Sequence, residues 1–309
     1  MEGFPERAED YFARYREIIP DFEAFLQSLS EPLPLYFRLN TLKIRDPEPV
    51  ISGLSRQGFQ VEPVAEVPWF FRVEPREASL GNTEEYYLGL IYPMTLSSSL
   101  PVYALDPRPG ELILDLCAAP GSKTTQIAQW TEDQAVIVAN DRRLDRITAL
   151  VANLRRLGVA CAVTTVYRGE MYPLEVSFDK VLVDAPCSGE GRYRKGYEGE
   201  LLYQKEGHTN LSGIQKGLLV RAFDLLKPGG ILVYSTCTIN PEENEAVVDY
   251  LLRKRQAELL DWEAPLPFHP GVTEWEGRPF HPDLTKAKRF YAHEIQGVGF
   301  FVAKLRRTC

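Results

Sequence analysis

Two thiols and two charged side chains stand at positions that suit covalent catalysis. Asp184 and Cys187 follow the apolar run VLV in the string DAPCSGEG, and Cys237 follows ILVYST. Lys123 lies near the start of a predicted helix. A cysteine thiolate can attack an electrophilic carbon, while a carboxylate and an ammonium group can hold or move protons. The four side chains therefore predict a reaction that passes through a cysteine adduct.

Methylation of cytosine at carbon 5 needs such a set. Carbon 5 becomes nucleophilic only after a thiolate adds to carbon 6, and a base must later remove the C5 proton. A lone cysteine is more often a small buried hydrophobe, but two cysteines at adjacent strand ends weaken that alternative. A helix predicted over 241–256, with Asn240 as its cap and Pro241 as its first residue, would lower the pKa of Cys237.

A second loop has the features of a cofactor site. Residues 115–125 read DLCAAPGSKTT between an apolar strand and a helix, and their small side chains let a ligand approach the backbone. Asp141 ends the next strand, 20 residues after Gly121, where a carboxylate can bind ribose hydroxyls. Asp141 could equally cap the helix that follows. Neither the dinucleotide GxGxxG nor the phosphate-binding GxxxxGK[ST] pattern occurs here.

Apolar strands alternate with helices from about residue 85, which predicts an α/β fold with a parallel sheet. The strands are predicted over 111–117, 135–140, 160–166, 178–186 and 230–237, with a final strand GFFVAKLRR. The catalytic domain would span 85–309. Residues 1–84 would form a separate domain of two short helices and a small α+β unit.

Composition narrows the class of protein. The 309 residues are 44% hydrophobic, and no apolar run is long enough to cross a bilayer. The N-terminus has no secretory signal, and the five cysteines show no metal-ligand spacing, so we expect a cytoplasmic protein without a metal. The net charge of −8 argues against a nucleic-acid partner. Basic residues nevertheless cluster at 142–156, 192–195 and 286–289. These clusters are either RNA contacts or solvated helix faces.

Several of these strings resemble the signature motifs of the NOL1/NOP2/Sun RNA cytosine-5 methyltransferases. They are DLCAAPGSKTTQIA, DAPCSGEG, LKPGGILVYSTCT, NPEENEAVV, FRLNTLK and GFFVAKL, and the resemblance covers nearly the whole chain. It implies a Rossmann-like methyltransferase sheet, S-adenosylmethionine as cofactor, RNA as partner and no membrane. It also implies an RNA-recognition-like unit within 1–84. We expect a monomer.

The resemblance implies a role for each matching residue. Cys237 would be the nucleophile, Cys187 would act in proton removal and release, Asp184 would hold the cytosine edge, and Lys123 would lie beside the reacting centre. The cofactor contacts would be Cys117, Ala118, Ala119, Pro120, Gly121, Ser122, Lys123, Asp141, Arg146 and Asp184. Candidate RNA contacts are Arg38, Asn40 and Arg192.

The chain departs from the family pattern at three places, and two of them affect predicted contacts. Thr165-Val166-Tyr167-Arg168 replaces the stretch where an aspartate usually contacts adenine, so Tyr167 is a stacking candidate. Pro93-Met94-Thr95-Leu96 replaces the usual Gln-Asp/Glu before two serines. Arg289-Phe290-Tyr291-Ala292-His293 has alanine where proline is common, and His293 is either an RNA contact or a packing residue.

Three functions stay open at this point. An RNA methyltransferase fits best, with small-subunit ribosomal RNA slightly ahead of transfer RNA as substrate. A DNA cytosine methyltransferase would use Cys187 as its nucleophile and would not depend on Cys237. A non-catalytic RNA-binding assembly factor would not need the intact set of Lys123, Asp184, Cys187 and Cys237.

Overall fold

The computed structural model describes residues 8–75, 79–194 and 211–309. Its α-helices are α1 Ala8–Phe12, α2 Phe22–Ser28, α3 Glu48–Arg56, α4 Glu84–Tyr87, α5 Leu100–Leu105, α6 Ser122–Trp130, α7 Leu144–Leu157, α8 Leu211–Asp224 and α9 Glu245–Lys254. Its strands are β1 Leu35–Leu39, β2 Gln60–Pro63, β3 Phe70–Glu74, β4 Ile91–Pro93, β5 Leu112–Asp115, β6 Val136–Asn140, β7 Ala162–Thr165, β8 Phe178–Asp184, β9 Leu226–Thr236, β10 Ala257–Leu260, β11 His269–Pro270, β12 Glu274–Trp275, β13 Arg278–Pro279, β14 Lys288–Phe290 and β15 Phe300–Arg307.

A nine-stranded mixed sheet forms the larger part of the protein. Its strand order is β11-β14-β15-β9-β8-β5-β6-β7, with β10 paired to β15. The five strands β5 to β9 run parallel, whereas β15 runs antiparallel to β9. Ile113, Leu114 and the 181–183 run are fully buried, as expected where helices cover both faces. The predicted Rossmann-like α/β class is confirmed.

A small antiparallel sheet of order β2-β3-β1-β4 precedes it. This sheet has its own apolar core, in which Phe37 and Leu54 are fully buried. The helix α3 starts at a proline-containing turn and covers one face, as the sequence predicts. Strand β4 (Ile91–Pro93) pairs with β1, so the small sheet continues past the predicted domain boundary at residue 84.

The helices α1 and α2 pack against the large sheet and contribute nothing to the core of the small one. Phe12, Tyr15 and Phe25 are buried in the same cluster as Phe223 of α8 and Phe301 of β15. The rings of Phe12 and Phe25 meet edge to face with centroids 5.2 Å apart. Residues 8–29 therefore belong structurally to the large-sheet unit, although they fall within the predicted N-terminal domain.

The helix predicted over 241–256 is shorter than expected. Helix α9 begins at Glu245, and the residues between Pro241 and Asn244 form turns instead. Asn240 does accept a hydrogen bond from the Glu242 amide at 2.9 Å, but it caps a turn. The helix N-terminus is therefore too far along the chain to explain a lowered pKa at Cys237. Within the described ranges, no helix is long and apolar enough to cross a membrane.

Candidate active site

The two cysteines singled out by the sequence lie side by side. Strands β8 and β9 are parallel neighbours, with Asp184 opposite Ser235, so the loops after both strands leave the sheet at the same edge. Cys187 Sγ and Cys237 Sγ are 3.3 Å apart. Both thiols are partly exposed. A ligand at this edge of the sheet can therefore meet two sulfur atoms at once.

An ion pair borders the thiols. Lys123 Nζ lies 2.6 Å from Asp184 Oδ2, and its ammonium also donates to Ser98 Oγ at 3.1 Å. The Ser235 hydroxyl donates to the other carboxylate oxygen at 2.8 Å. Lys123 is buried, whereas a third of the Asp184 side chain is exposed. This arrangement fixes the carboxylate and leaves one side of it open to a ligand.

The two thiols differ in acidity. The hydrogen bond from the Cys187 thiol lowers the pKa of Cys237, and the positive charges of Arg192 and Lys123 act in the same direction. The same hydrogen bond, together with burial, raises the pKa of Cys187 well above its ordinary value. Cys237 is thus the sulfur that ionises first, and Cys187 is the one that keeps its proton.

A backbone contact holds the Cys237 loop in place. The Gly191 amide donates to the Cys237 carbonyl at 3.0 Å, and the Gly299 amide donates to the Gly191 carbonyl at 2.9 Å. A Cβ on Gly191 would come within 2.1 Å of the Gly299 carbonyl oxygen, so a side chain cannot fit there. Two distant segments of the chain therefore converge on the loop that carries the more acidic thiol.

Glu190 connects this loop to helix α1 and the turn after it. The carboxylate of Glu190 accepts hydrogen bonds from the Tyr11 hydroxyl at 2.7 Å and from the Tyr15 hydroxyl at 2.8 Å. Thr238 also donates to it at 3.4 Å and accepts from Ser188 at 2.9 Å. Sequence reasoning missed Glu190 because nothing near residues 11 and 15 suggests which part of the chain their hydroxyls contact.

The predicted cofactor loop forms a tight turn at the end of β5. Gly121 has φ of 106°, and a Cβ at this position would lie 2.8 Å from Leu150 Cδ1. Ala118 and Ala119 are buried, and the Ala118 amide donates to the Asn140 carbonyl at 2.7 Å. Asn153 donates to the Pro120 carbonyl at 3.0 Å. Contacts with the protein therefore fix one side of the loop, and small side chains line the side where a ligand would approach.

Asp141 and Asp115 are carboxylates suited to a nucleoside ligand. Asp141 Oδ1 accepts the Arg143 amide at 3.0 Å and Oδ2 lies 3.2 Å from Arg146. Each oxygen keeps an acceptor position for a hydroxyl. Asp115 Oδ1 is buried without a hydrogen-bond partner in the described residues, and burial raises the pKa of Asp115 to about 7. A ligand with hydroxyl and amino donors fits these acceptors.

Two of the predicted RNA contacts are buried inside the protein. Arg38 and Asn40 are each only 2% exposed. Arg38 donates to Thr125 Oγ1 at 2.8 Å, and Asn40 donates to the Gly89 and Leu157 carbonyls at 2.8 Å. Both side chains join the small sheet to the large-sheet unit, so their assignment as RNA contacts is corrected. Arg192 is exposed.

The basic clusters differ in their exposure. Lys288 and Arg289 are buried, and Arg289 forms an ion pair with Glu245 at 2.5 Å. Arg194 is buried as well, while Lys195 lies outside the described residues. The 286–289 cluster is therefore structural for the most part. Tyr167 is exposed beyond β7 and remains a stacking candidate. No group of three or more potential metal ligands occurs in residues 8–75, 79–194 or 211–309.

Comparison with known proteins places this geometry in a family. The profile of the 16S rRNA methyltransferase RsmB/F family matches residues 102–306. The chain belongs to this family. The NOL1/NOP2/Sun resemblance of the sequence motifs is thereby confirmed.

Relatives within the RsmB/F family differ in length and in named substrate. The tRNA (cytosine(49)-C(5))-methyltransferase of Pyrococcus abyssi is 41% identical, over 99% of this chain and 98% of that protein. The human 28S rRNA (cytosine(4447)-C(5))-methyltransferase is 39% identical over 92% of this chain, which spans 35% of that protein. The ribosomal RNA small subunit methyltransferase F of Pectobacterium carotovorum is 36% identical, and the chain spans 62% of it.

A solved structure supports the architecture. The crystal structure of a methyltransferase homolog from Pyrococcus horikoshii superposes with a TM-score of 0.82 at 34% identity, over 98% of this chain and 96% of that one. The small antiparallel sheet and the mixed large sheet are thus a shared arrangement in this part of the RsmB/F family.

Proposed function

We propose that this RsmB/F-family enzyme methylates carbon 5 of cytosine in transfer RNA, with S-adenosylmethionine as the methyl donor. The enzyme class and the cofactor follow from family membership. The observation that carries the chemistry is the pair of thiols 3.3 Å apart beside the Lys123–Asp184 ion pair. This arrangement supplies both a nucleophile and a proton acceptor at one edge of the sheet.

Transfer RNA is favoured as substrate by the identities of the named relatives. The relative named as a tRNA enzyme is 41% identical over 99% of this chain, whereas two relatives named as rRNA enzymes are 39% identical over 92% of it and 36% identical over 97% of it. This order of substrates reverses the expectation from sequence alone, which put ribosomal RNA slightly ahead. Ribosomal RNA is the second candidate because the family profile and most of these relatives carry that name.

The first chemical step uses the acidity difference between the thiols. The Cys237 thiolate attacks carbon 6 of the cytosine and forms a C–S bond. The electron pair of the C5–C6 double bond forms a C4–C5 double bond, and the C4–N3 pair moves onto N3, which takes up a proton, so that carbon 5 becomes nucleophilic. Asp184, held by Lys123 and Ser235, lies where it can bind the N3 edge and favour its protonation. Bound S-adenosylmethionine would supply the methyl group, with Asp141 and the loop 117–123 as its holding residues.

The last steps need a base, and Cys187 is placed to take part. After methyl transfer, carbon 5 bears both a methyl group and a proton, and this proton must leave before the C–S bond breaks. The Cys187 sulfur is the group in contact with the adducted sulfur. Once Cys237 Sγ is bonded to carbon, the neighbouring thiolate that held the Cys187 proton is gone, so Cys187 can lose this proton to solvent and then accept the C5 proton as a thiolate.

The test of this function is transfer of labelled methyl from S-adenosylmethionine to total tRNA by the wild-type protein and by Cys237→Ala. We expect transfer by the wild type and a loss of at least 1,000-fold in the variant, because the adduct cannot form. Cys309→Ala, which removes an exposed thiol far from the site, is the matched control. Equal transfer by the wild type and Cys237→Ala would refute the assignment of the nucleophile.

A second variant tests the role of Cys187. In Cys187→Ala the adduct should form and resolve slowly, so that a covalent protein–RNA species survives a denaturing gel. The double variant Cys187→Ala/Cys237→Ala should show no such species. If the single variant turns over normally and traps nothing, Cys187 is not involved in proton removal.

Total rRNA, assayed in parallel with total tRNA, decides between the two substrates.

A further inference from the structure

A cavity of about 360 Å³ lies outside the thiol centre, where three parts of the chain meet. Helix α2 forms one wall with Gln27 and Ser28, β3 contributes Arg72, and the loop before β15 contributes His293 and Gln296. Two prolines and two alanines supply apolar surface. The cavity thus combines apolar walls with side chains that can donate or accept hydrogen bonds.

Several residues that line this cavity carry polar atoms with unused capacity. Arg72 Nε is buried without a hydrogen-bond partner in the described part of the chain, and the ring nitrogens of His293 have no partner of good geometry, with a weak contact to the Pro20 backbone. Unsatisfied buried donors and acceptors are costly, so a ligand that reaches these side chains can supply missing partners. Arg72 is otherwise held by Glu74 at 3.0 Å and by Gln296 at 3.3 Å, which fixes its guanidinium.

The cavity shares a wall with the loop that carries the reactive thiol. Arg194 lines it, and its guanidinium donates to the Gly297 carbonyl at 2.7 Å. Three residues earlier, Gly191 binds both the Cys237 carbonyl and the Gly299 amide. The same short segment therefore bounds the cavity on one side and the thiol centre on the other.

From this position we infer that the cavity receives a second nucleobase of the substrate RNA, within a few nucleotides of the target cytosine. The inference rests on the proposed function. A neutral imidazole and a carboxamide each present a donor and an acceptor, which matches the edge of a base, and proteins read RNA through bases that leave their stack. The pKa of His293 is lowered by burial, so its ring is neutral at pH 7.

The test uses tRNA transcripts with one abasic nucleotide at each position on either side of the mapped target. For the wild type, we expect kcat/KM to fall about tenfold for one abasic position and little for the others. For His293→Ala, the intact transcript should lose about tenfold, and the same abasic position should cause no further loss. Arg306→Gln, an exposed arginine paired with Glu258 at the edge of the large sheet, is the matched control.

Independent losses from the His293→Ala change and from every abasic position would overturn the inference. Arg72→Gln gives a second probe if His293→Ala lowers the melting temperature. If the wild type methylates no RNA, the proposed function fails. Binding of fluorescent total tRNA then tests separately whether the cavity binds RNA. A tenfold loss of affinity in Arg72→Gln/His293→Ala, with Arg306→Gln unchanged, would support a nucleobase site, and unchanged affinity would refute it.

Discussion

The helices at the start of the chain and the small sheet that follows them join the large-sheet unit in different ways. Phe12, Tyr15 and Phe25 share an apolar core with the large sheet, and two tyrosine hydroxyls bind Glu190 in the reactive loop. The small sheet keeps a separate core around Phe37. Its other face packs Tyr36 and Phe70 into an apolar core of the large-sheet unit, and polar groups such as Asn40, which binds two backbone carbonyls, add to this junction.

This difference shows that neighbours in sequence need not be one structural unit. Residues 8–29 are part of the support for the thiols, because removing their side chains would open the core beneath the reactive loop. The small sheet has a core of its own around Phe37 on one face, and on the other face it is joined to the large-sheet unit by a shared apolar core and by hydrogen bonds. A change confined to the Phe37 core should therefore affect the active site less directly than a change in the helices.

The largest expected effect comes from Phe12→Ala, compared with Phe37→Ala. Both side chains are fully buried, so each change should lower the free energy of unfolding by about 3–5 kcal/mol. Their local consequences should differ. Hydrogen exchange measured by mass spectrometry should speed up in residues 187–193 for Phe12→Ala and in residues 35–73 for Phe37→Ala. Faster exchange of 187–193 in both variants would show that the two regions are one cooperative unit.

A smaller effect is expected at the junction of the small sheet. Asn40→Ala leaves the Gly89 and Leu157 carbonyls without their partner, which should lower the free energy of unfolding by about 1–3 kcal/mol. The dependence of RNA affinity on salt should not change, because a buried amide contacts no phosphate. Arg192→Gln is the comparison: it should reduce the slope of log K against log salt by about one. A matching reduction in Asn40→Ala would restore Asn40 as an RNA contact.

The smallest effect concerns the junction of the helices and should depend on pH. Burial raises the pKa of Glu190 above the ordinary value of 4.5. A carboxyl with a raised folded-state pKa contributes full stability below pH 4.5, and that stability is lost as pH rises through the folded pKa. Glu190→Gln cannot ionise, so its unfolding free energy should change less over this window. Parallel pH curves for the two proteins, measured by denaturant unfolding, would contradict this account.

The sequence was sufficient for six of the nine strands of the large sheet and for the reactive centre, whereas the short strands β10, β11 and β14 were not predicted. Buried parallel strands are near-continuous apolar runs, and their carboxyl ends meet at one edge of the sheet. The proximity of Asp184, Cys187 and Cys237 could therefore be predicted from the sequence. The strands and helices lie within a few residues of the predicted positions. The exception is α9, where strong start signals at Asn240 and Pro241 specify a turn, and the helix begins later.

Contacts between distant segments could not be predicted in this way. Arg38 and Asn40 are polar residues on a short strand, and polarity alone suggests exposure. Only the fold shows that Thr125 accepts a hydrogen bond from Arg38 and that two backbone carbonyls accept from Asn40. The lowered pKa of Cys237 was expected, but its cause is the Cys187 hydrogen bond. Ser235 and Phe300 stood within quoted motifs, yet their nearness to Asp184 and Lys123 needed the structure.

The contact of Gly299 with Gly191 has a consequence for how the protein is made. Strand β15 supplies the segment beside Gly299, pairs with β9 and borders the Cys237 loop, yet it lies at residues 300–307. During synthesis the proposed cofactor loop at 117–123 leaves the ribosome long before this strand does, and the N-terminal parts of a chain fold first. A nascent chain can therefore form this turn early, while its thiols stay unpositioned until residues 300–307 have been translated.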